Sequence, residues 1–131
     1  MRAQKGFTLM ELLVVVIILG VLVSVALPRY NLAVERTRSA EGVQTLTALL
    51  SGQKSYFLDN NFYTTQLSDL DVEIPSSNIF NTPTLGVPPD DPLAAVVRSS
   101  GAYQYQLSID QNGVITCVTV AGDDICGSLG Y

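Results

Sequence analysis

The apolar run from Phe7 to Leu27, FTLMELLVVVIILGVLVSVAL, constrains this chain more than any other feature, because only Thr8, Glu11, Gly20 and Ser24 interrupt it. As a helix it spans about 31 Å, roughly the hydrocarbon thickness of a bilayer. A chain of 131 residues has room for one small domain beside such a segment, and that domain cannot cover a helix that is greasy on every side. A membrane, or other greasy helices, must cover it. Arg2 and Lys5 precede the run, which keeps the N-terminus cytoplasmic and places everything after Leu27 outside. Glu11 is the anomaly: an ionised carboxylate is costly in hydrocarbon and has no use in a cleaved secretion signal. Either it has a partner or it snorkels toward the headgroups from the first turns of the helix.

Pro28 loosens a helix here without ending it, since good helix formers resume at once. In the stretch that follows, Val43, Leu46, Leu50 and Phe57 recur at helical spacing, with Leu49 widening the stripe. Glu35 with Arg38, and Arg38 with Glu41, fall at i,i+3 on what reads as the exposed side. The pattern predicts one bent helix from Phe7 to about Leu58. From Asp59 to Pro92 the chain holds five of its six prolines, a connecting region with little regular structure. Phe62, Tyr63, Leu67, Leu70, Val72 and Ile74 pin it to a core. Beyond it Tyr103, Tyr105, Leu107 and Ile109 alternate with polar residues as in a strand, Asn112-Gly113 suits a tight turn, and VITCVTV returns. Leu93 to Arg98 reads as a further strand. The fold class is α+β: a long N-terminal spine helix packed on a small antiparallel sheet of three or four strands.

Chemistry is scarce. There is no histidine, so Ser-His-Asp and Cys-His arrangements are excluded, and no glycine-rich phosphate loop occurs. Asp69, Asp71 and Glu73, or Asp90 and Asp91, read as solvated loop carboxylates rather than calcium ligands. Tyr56, Phe57, Phe62 and Tyr63 read as core packing at a helix end. No enzyme, cofactor, metal or small-molecule substrate is expected. The net charge of −5, more negative still without Arg2 and Lys5, disfavours nucleic acid and anionic lipid as partners. Cys117 and Cys126 cannot hold zinc without further ligands. A disulfide in an exported domain suits them, and two unrelated reduced thiols are the alternative.

The segment KGFTLMELLVVVIILGVLVSVALPRY resembles the type IV prepilin leader and N-terminal helix: a basic leader ending in Gly6, then Phe7, an acid four positions later, an apolar run and a proline near its end. The later architecture, with its cysteine-bounded end, is similar to the type IV pilin fold over essentially the whole chain. One departure is Ala33, where family members often carry a second tyrosine three residues after Tyr30. The resemblance implies residues 1–6 as leader, 7–28 as the membrane and filament-core half of the helix, and 29–131 as the exported globular domain. It also implies cleavage between Gly6 and Phe7 by a prepilin peptidase, N-methylation of Phe7 by the same enzyme, and Glu11 neutralising the Phe7 amine of a neighbouring subunit. An amine held in the same apolar layer is a physically sensible partner for that carboxylate, and the pairing sets axial register. The implied partners are further copies, the inner membrane and the pilus assembly machinery. The implied course runs from single-pass membrane subunit to extracellular pilus.

Three alternatives remain open. A pseudopilin of a type II secretion system shares all of these features. A binding module behind an ordinary signal peptide would use Ser24-Val25-Ala26 as its small-x-small cleavage site. An anchored domain that never polymerises would look the same in sequence.

Overall fold

The computed structural model describes residues 6–89 and 92–131. The leader cations Arg2 and Lys5 and the carboxylates Asp90 and Asp91 lie outside the described residues. The chain forms two compact units, Met1–Val34 and Glu35–Tyr131. Helix α1 is Leu9–Asn60, and its backbone stays helical through Pro28. Its end is set by two asparagines. Asn60 donates from Nδ2 to the Tyr56 carbonyl, and Asn61 takes a left-handed φ of 63° while its N–H reaches the Phe57 carbonyl.

In the second unit, strands β1 (Thr84–Leu85), β2 (Ala94–Arg98), β3 (Tyr103–Ile109) and β4 (Ile115–Gly122) form an antiparallel meander in that order. Opposite residues Val96 and Leu107, then Leu107 and Cys117, fix the register of the inner face, where Leu107 and Ile109 are buried. The β3–β4 connection differs from a two-residue Asn-Gly turn. Asp110 organises it by accepting the backbone N–H of Asn112 and Val114 at Oδ1, and only Gly113 takes a positive φ, 87°. That suits a three-residue loop in which glycine alone occupies the left-handed position. The Val114 N–H, ahead of the Asn112 bonds, holds the exposed Asp110 carboxyl below its usual range.

The buried stripe of α1 is Glu35, Ser39, Gly42, Leu46, Leu49 and Gln53, steps of four and three that keep one face toward the sheet. This corrects two expectations. Val43 and Leu50 flank the stripe half-buried and Phe57 lies exposed, so the true centre is rotated from the one that apolar residues alone suggest. Glu35 is no surface partner of Arg38 alone, for it is 2% exposed. Polar and small residues occupy this face because each meets something specific. A Cβ on Gly42 would stand 2.9 Å from the Phe80 ring and 3.0 Å from Leu107, so only glycine permits the approach. Gln53 uses its whole amide on Thr64, donating to the carbonyl at 2.6 Å and accepting the N–H at 3.1 Å. That pair turns the chain back after α1 and satisfies two buried backbone groups.

Glu35 is the centre of a buried polar cluster. Its Oε1 accepts the Tyr105 hydroxyl at 3.0 Å and lies 2.5 Å from Nε of Arg98, while Oε2 is 3.5 Å from Arg38 Nη1. Arg98 is 5% exposed and Tyr105 fully buried. Burial, and then the bond to Glu35, pushes the Tyr105 phenol well above its ordinary range. The cluster ties α1 to β2 and β3 at one point, and removing either Glu35 or Arg98 leaves the other as a buried charge without its counter-ion.

Leu70 and Phe80 anchor the connecting region in the core, and the Ser77 hydroxyl donates to Glu41 on α1. The aromatic group at the end of α1 is not core, contrary to expectation. Tyr56 meets Phe62 edge to face at 5.6 Å and Phe57 stacks on Tyr63 at 4.7 Å, yet Phe62 is 57% and Leu58 81% exposed. These rings pack on one another across the helix end, where the chain reverses too tightly to carry them inward. At the C-terminus, Cys117 of β4 is disulfide-bonded to Cys126, the first residue of helix α2 (Cys126–Leu129). Arg36 donates from Nε and Nη2 to the Ser128 carbonyl, which fastens that tail to α1.

Candidate functional site

Within the first unit, the large apolar side chains of residues 7–27 all stand exposed, from 45% at Val14 to 90% at Phe7. The helix is long and apolar enough to cross a membrane. The single acid among residues 7–27, Glu11, is positioned by the helix N-terminus. Gly6, Phe7 and Thr8 precede the first helical residue, and a side chain on Gly6 would meet nothing within 4 Å. The Thr8 N–H donates to Glu11 Oε2 at 3.1 Å, and the Thr8 hydroxyl donates to the same oxygen at 2.9 Å. The Glu11 N–H donates back to Thr8 Oγ1 at 3.2 Å. This reciprocal pattern is a capping box, with Thr8 as N-cap and Glu11 three residues on, and it satisfies N–H groups that the helix cannot bond internally.

Thr8 is the functional residue that sequence reasoning missed. Its signal was present, since Thr8-Leu9-Met10-Glu11 is a T-x-x-E immediately before an apolar run. The cap holds the carboxylate beside the N-terminus, separated from Phe7 by one helical turn. Both bonds to the Glu11 carboxylate engage Oε2, so among the described residues Oε1 accepts none. The apolar face, Phe7, Thr8 and Glu11 thus lie together, whereas the buried Glu35 cluster has its acceptors turned inward. Among the described residues, no group of three or more His, Cys, Asp or Glu gathers to hold a metal ion. Asp69 accepts the Thr64 hydroxyl at 2.7 Å, a local loop contact.

Residues 1–27 match the family model for the prokaryotic N-terminal methylation motif. A fimbrial protein of Pseudomonas aeruginosa is 30% identical over 122 residues, covering 93% of this chain and 71% of that protein. A type II secretion system core protein G of Escherichia coli is 34% identical over 110 residues, covering 84% and 68%. A type IV major fimbrial protein of Dichelobacter nodosus is 32% identical over 120 residues, covering 92% and 60%. No solved structure matches the chain. With a methylation motif over its first residues, a spine helix against an antiparallel meander, and likeness to fimbrial proteins along nearly its whole length, the chain belongs to the type IV pilin family.

Proposed function

We propose that this chain is a structural subunit of a type IV pilus that polymerises through its N-terminal helix. The observation that carries the proposal is an apolar stretch, residues 7–27, exposed on all sides, whose one carboxylate, Glu11, is capped by its own Thr8 through Oε2 alone. In this reading a prepilin peptidase cuts between Gly6 and Phe7 on the cytoplasmic face. Residues 1–6 are lost, 7–28 hold the subunit in the inner membrane, and 29–131 form the exported domain. The new Phe7 amine is methylated and meets Glu11 of a neighbouring copy. In an apolar layer each charge is costly alone, and pairing removes both costs at one axial position. The Thr8 cap contributes by holding the carboxylate on the N-terminal side of its helix, where an incoming amine arrives. The product is an extracellular filament of many copies, extended by the pilus assembly machinery, with no substrate turned over.

The likeness to core protein G favours a second reading, a pseudopilin in a type II secretion system. Intact mass and N-terminal sequencing of the mature protein test the processing: a methylated Phe7 is expected, and Gly6→Val should leave a full-length precursor. A mature N-terminus at Leu27 instead would establish secretion behind an ordinary signal peptide. Recovery of the chain in filaments sheared from the cell surface supports the pilus. Its retention in the envelope, with exported enzymes lost when it is deleted, supports the pseudopilin.

A further inference from the structure

The aromatic group at the end of α1 has no core to serve, and its surroundings are acidic. Asp59, Asp69 and Asp71 stand exposed in the same part of the unit, with residues 70–72 held against the helix where Val72 meets Gly52. Lys54 is the cation on this stretch of helix. The helix C-terminus adds the negative end of its dipole. The opposite charge lies earlier on the chain. Between Arg29 and Arg38 there are three arginines and one acid, and that acid, Glu35, is buried. Arg29, Arg36 and Arg38 are exposed, Arg36 while donating to the Ser128 carbonyl and Arg38 while lying 3.5 Å from Glu35. Along α1 of the second unit, Arg38 and Phe57 are about 28 Å apart, so Arg36 and Arg38 of one copy cannot reach its own aromatic end.

We propose that the exposed aromatic end of one subunit, formed by Tyr56, Phe57, Leu58, Phe62 and Tyr63, docks the arginine-bearing stretch 29–38 of a second copy. This rests on the polymer reading and adds a second contact to it. Guanidinium groups stack on aromatic faces and pair with neighbouring carboxylates, and the ring pairs present fixed faces at little entropic cost. The two patches are different surfaces of the same chain. A contact between them is heterologous, and repeating it generates an open filament rather than a closed dimer. The charge pairing gives both direction and salt sensitivity to subunit addition.

The test uses the full chain, expressed as the sole subunit of its kind, with a benzophenone amino acid in place of Phe62. Sheared filaments are irradiated and the products mapped after proteolysis. The expected product is a covalent dimer joining position 62 to a peptide within residues 29–38. In parallel, Leu58→Ser with Phe62→Ser should lower sheared filament roughly three- to fivefold, the loss of one exposed cation–aromatic contact and of the apolar contact beside it, while the Cys117–Cys126 bond still forms. Photoproducts that map elsewhere, filaments without any dimer, or an undiminished yield from the double variant would each overturn this contact. A wild-type chain that yields no filament at all fails at the shearing step, before any cross-link is read, and overturns the polymer reading itself.

Discussion

Two glutamates, Glu11 and Glu35, sit on the same helix in opposite circumstances. Glu11 is exposed among apolar side chains and bonded only to Thr8 among the described residues, so its local partners are spent on closing its own helix. Glu35 is 2% exposed and surrounded by Arg98, Tyr105 and Arg38. A buried charge is tolerated when the same chain supplies the counter-charge, and Glu35 meets that condition completely. Glu11 meets it only in part, with neutral donors. The difference marks Glu35 as a fastening within the chain, and leaves Glu11 as the group that the proposed function has a neighbour complete.

The largest expected effect comes from breaking the Glu11 side of this comparison. Glu11→Ala should lower sheared filament more than about tenfold while leaving the subunit in the membrane with its disulfide formed. Glu11→Gln sharpens the test, because an amide still accepts the Thr8 bonds of a capping box and carries no charge. Assembly of the glutamine variant at the wild-type level would assign the role to the cap and not to the charge.

On the Glu35 side, Arg98→Met should destabilise the folded domain by roughly 3–5 kcal/mol, measured by denaturant unfolding of the detergent-solubilised chain. Combining it with Glu35→Leu should restore much of that loss, since both charges then leave the interior together. A double variant no better than the single one would show that the pair does not behave as a unit. Neither change touches residues 7–11, so processing at Phe7 should continue.

Tyr105 gives a smaller, pH-dependent effect. Its folded-state pKa lies above the unfolded value of about 10, so its protonated form is the one that folding favours. The stability it contributes is fully present below pH ~10 and is lost as the pH rises beyond that, where the unfolded phenol ionises first. Tyr105→Phe should flatten this alkaline loss in unfolding curves collected from neutral pH upward. An equal alkaline slope in both proteins would place its origin elsewhere.

The smallest effect belongs to Asp110, which like Glu11 is an exposed acid satisfied by nearby backbone. Its folded-state pKa is depressed, so its contribution is present above the unfolded value of about 4 and lost as the pH falls. Asp110→Ala should loosen the β3–β4 connection alone. Amide exchange at Gly113 and Val114 should quicken, with only a slight fall in the global unfolding midpoint at neutral pH.

Much of the fold was legible because its signals are local. The strand at 103–109 follows from a period of 2 and the second half of the spine helix from a period of 3.6, while the return strand read from VITCVTV runs over 115–122 and the further strand read at Leu93 to Arg98 is Ala94–Arg98. The rotation of α1 was not legible. Counting apolar residues selects Val43, Leu50 and Phe57, but the face that packs includes Glu35, Ser39, Gly42 and Gln53. Nothing in a helical repeat says that a glutamate will find an arginine sixty-three positions later. The aromatic end misled for a related reason: large rings usually pack inward, and only the reversal at Asn60-Asn61 leaves Phe62 outside. At the N-terminus, the T-x-x-E of Thr8 and Glu11 is a local signal legible in the sequence.

The sequence by itself determined that residues 7–27 need a cover the chain does not supply, since hydrophobic demand is a sum over side chains and their number is fixed. It determined equally where the long helix and the three longer strands run, because φ/ψ preference and period act within a few residues, whereas the short strand Thr84–Leu85 lies in the stretch read as having little regular structure and is set by its pairing with β2. Only the tertiary structure decided which polar groups are buried and with whom. Glu35 with Arg98, Gln53 with Thr64 and Arg36 with Ser128 each join residues distant in sequence or across a turn. Their burial is stable only because desolvation is repaid by a partner whose position the whole fold must set.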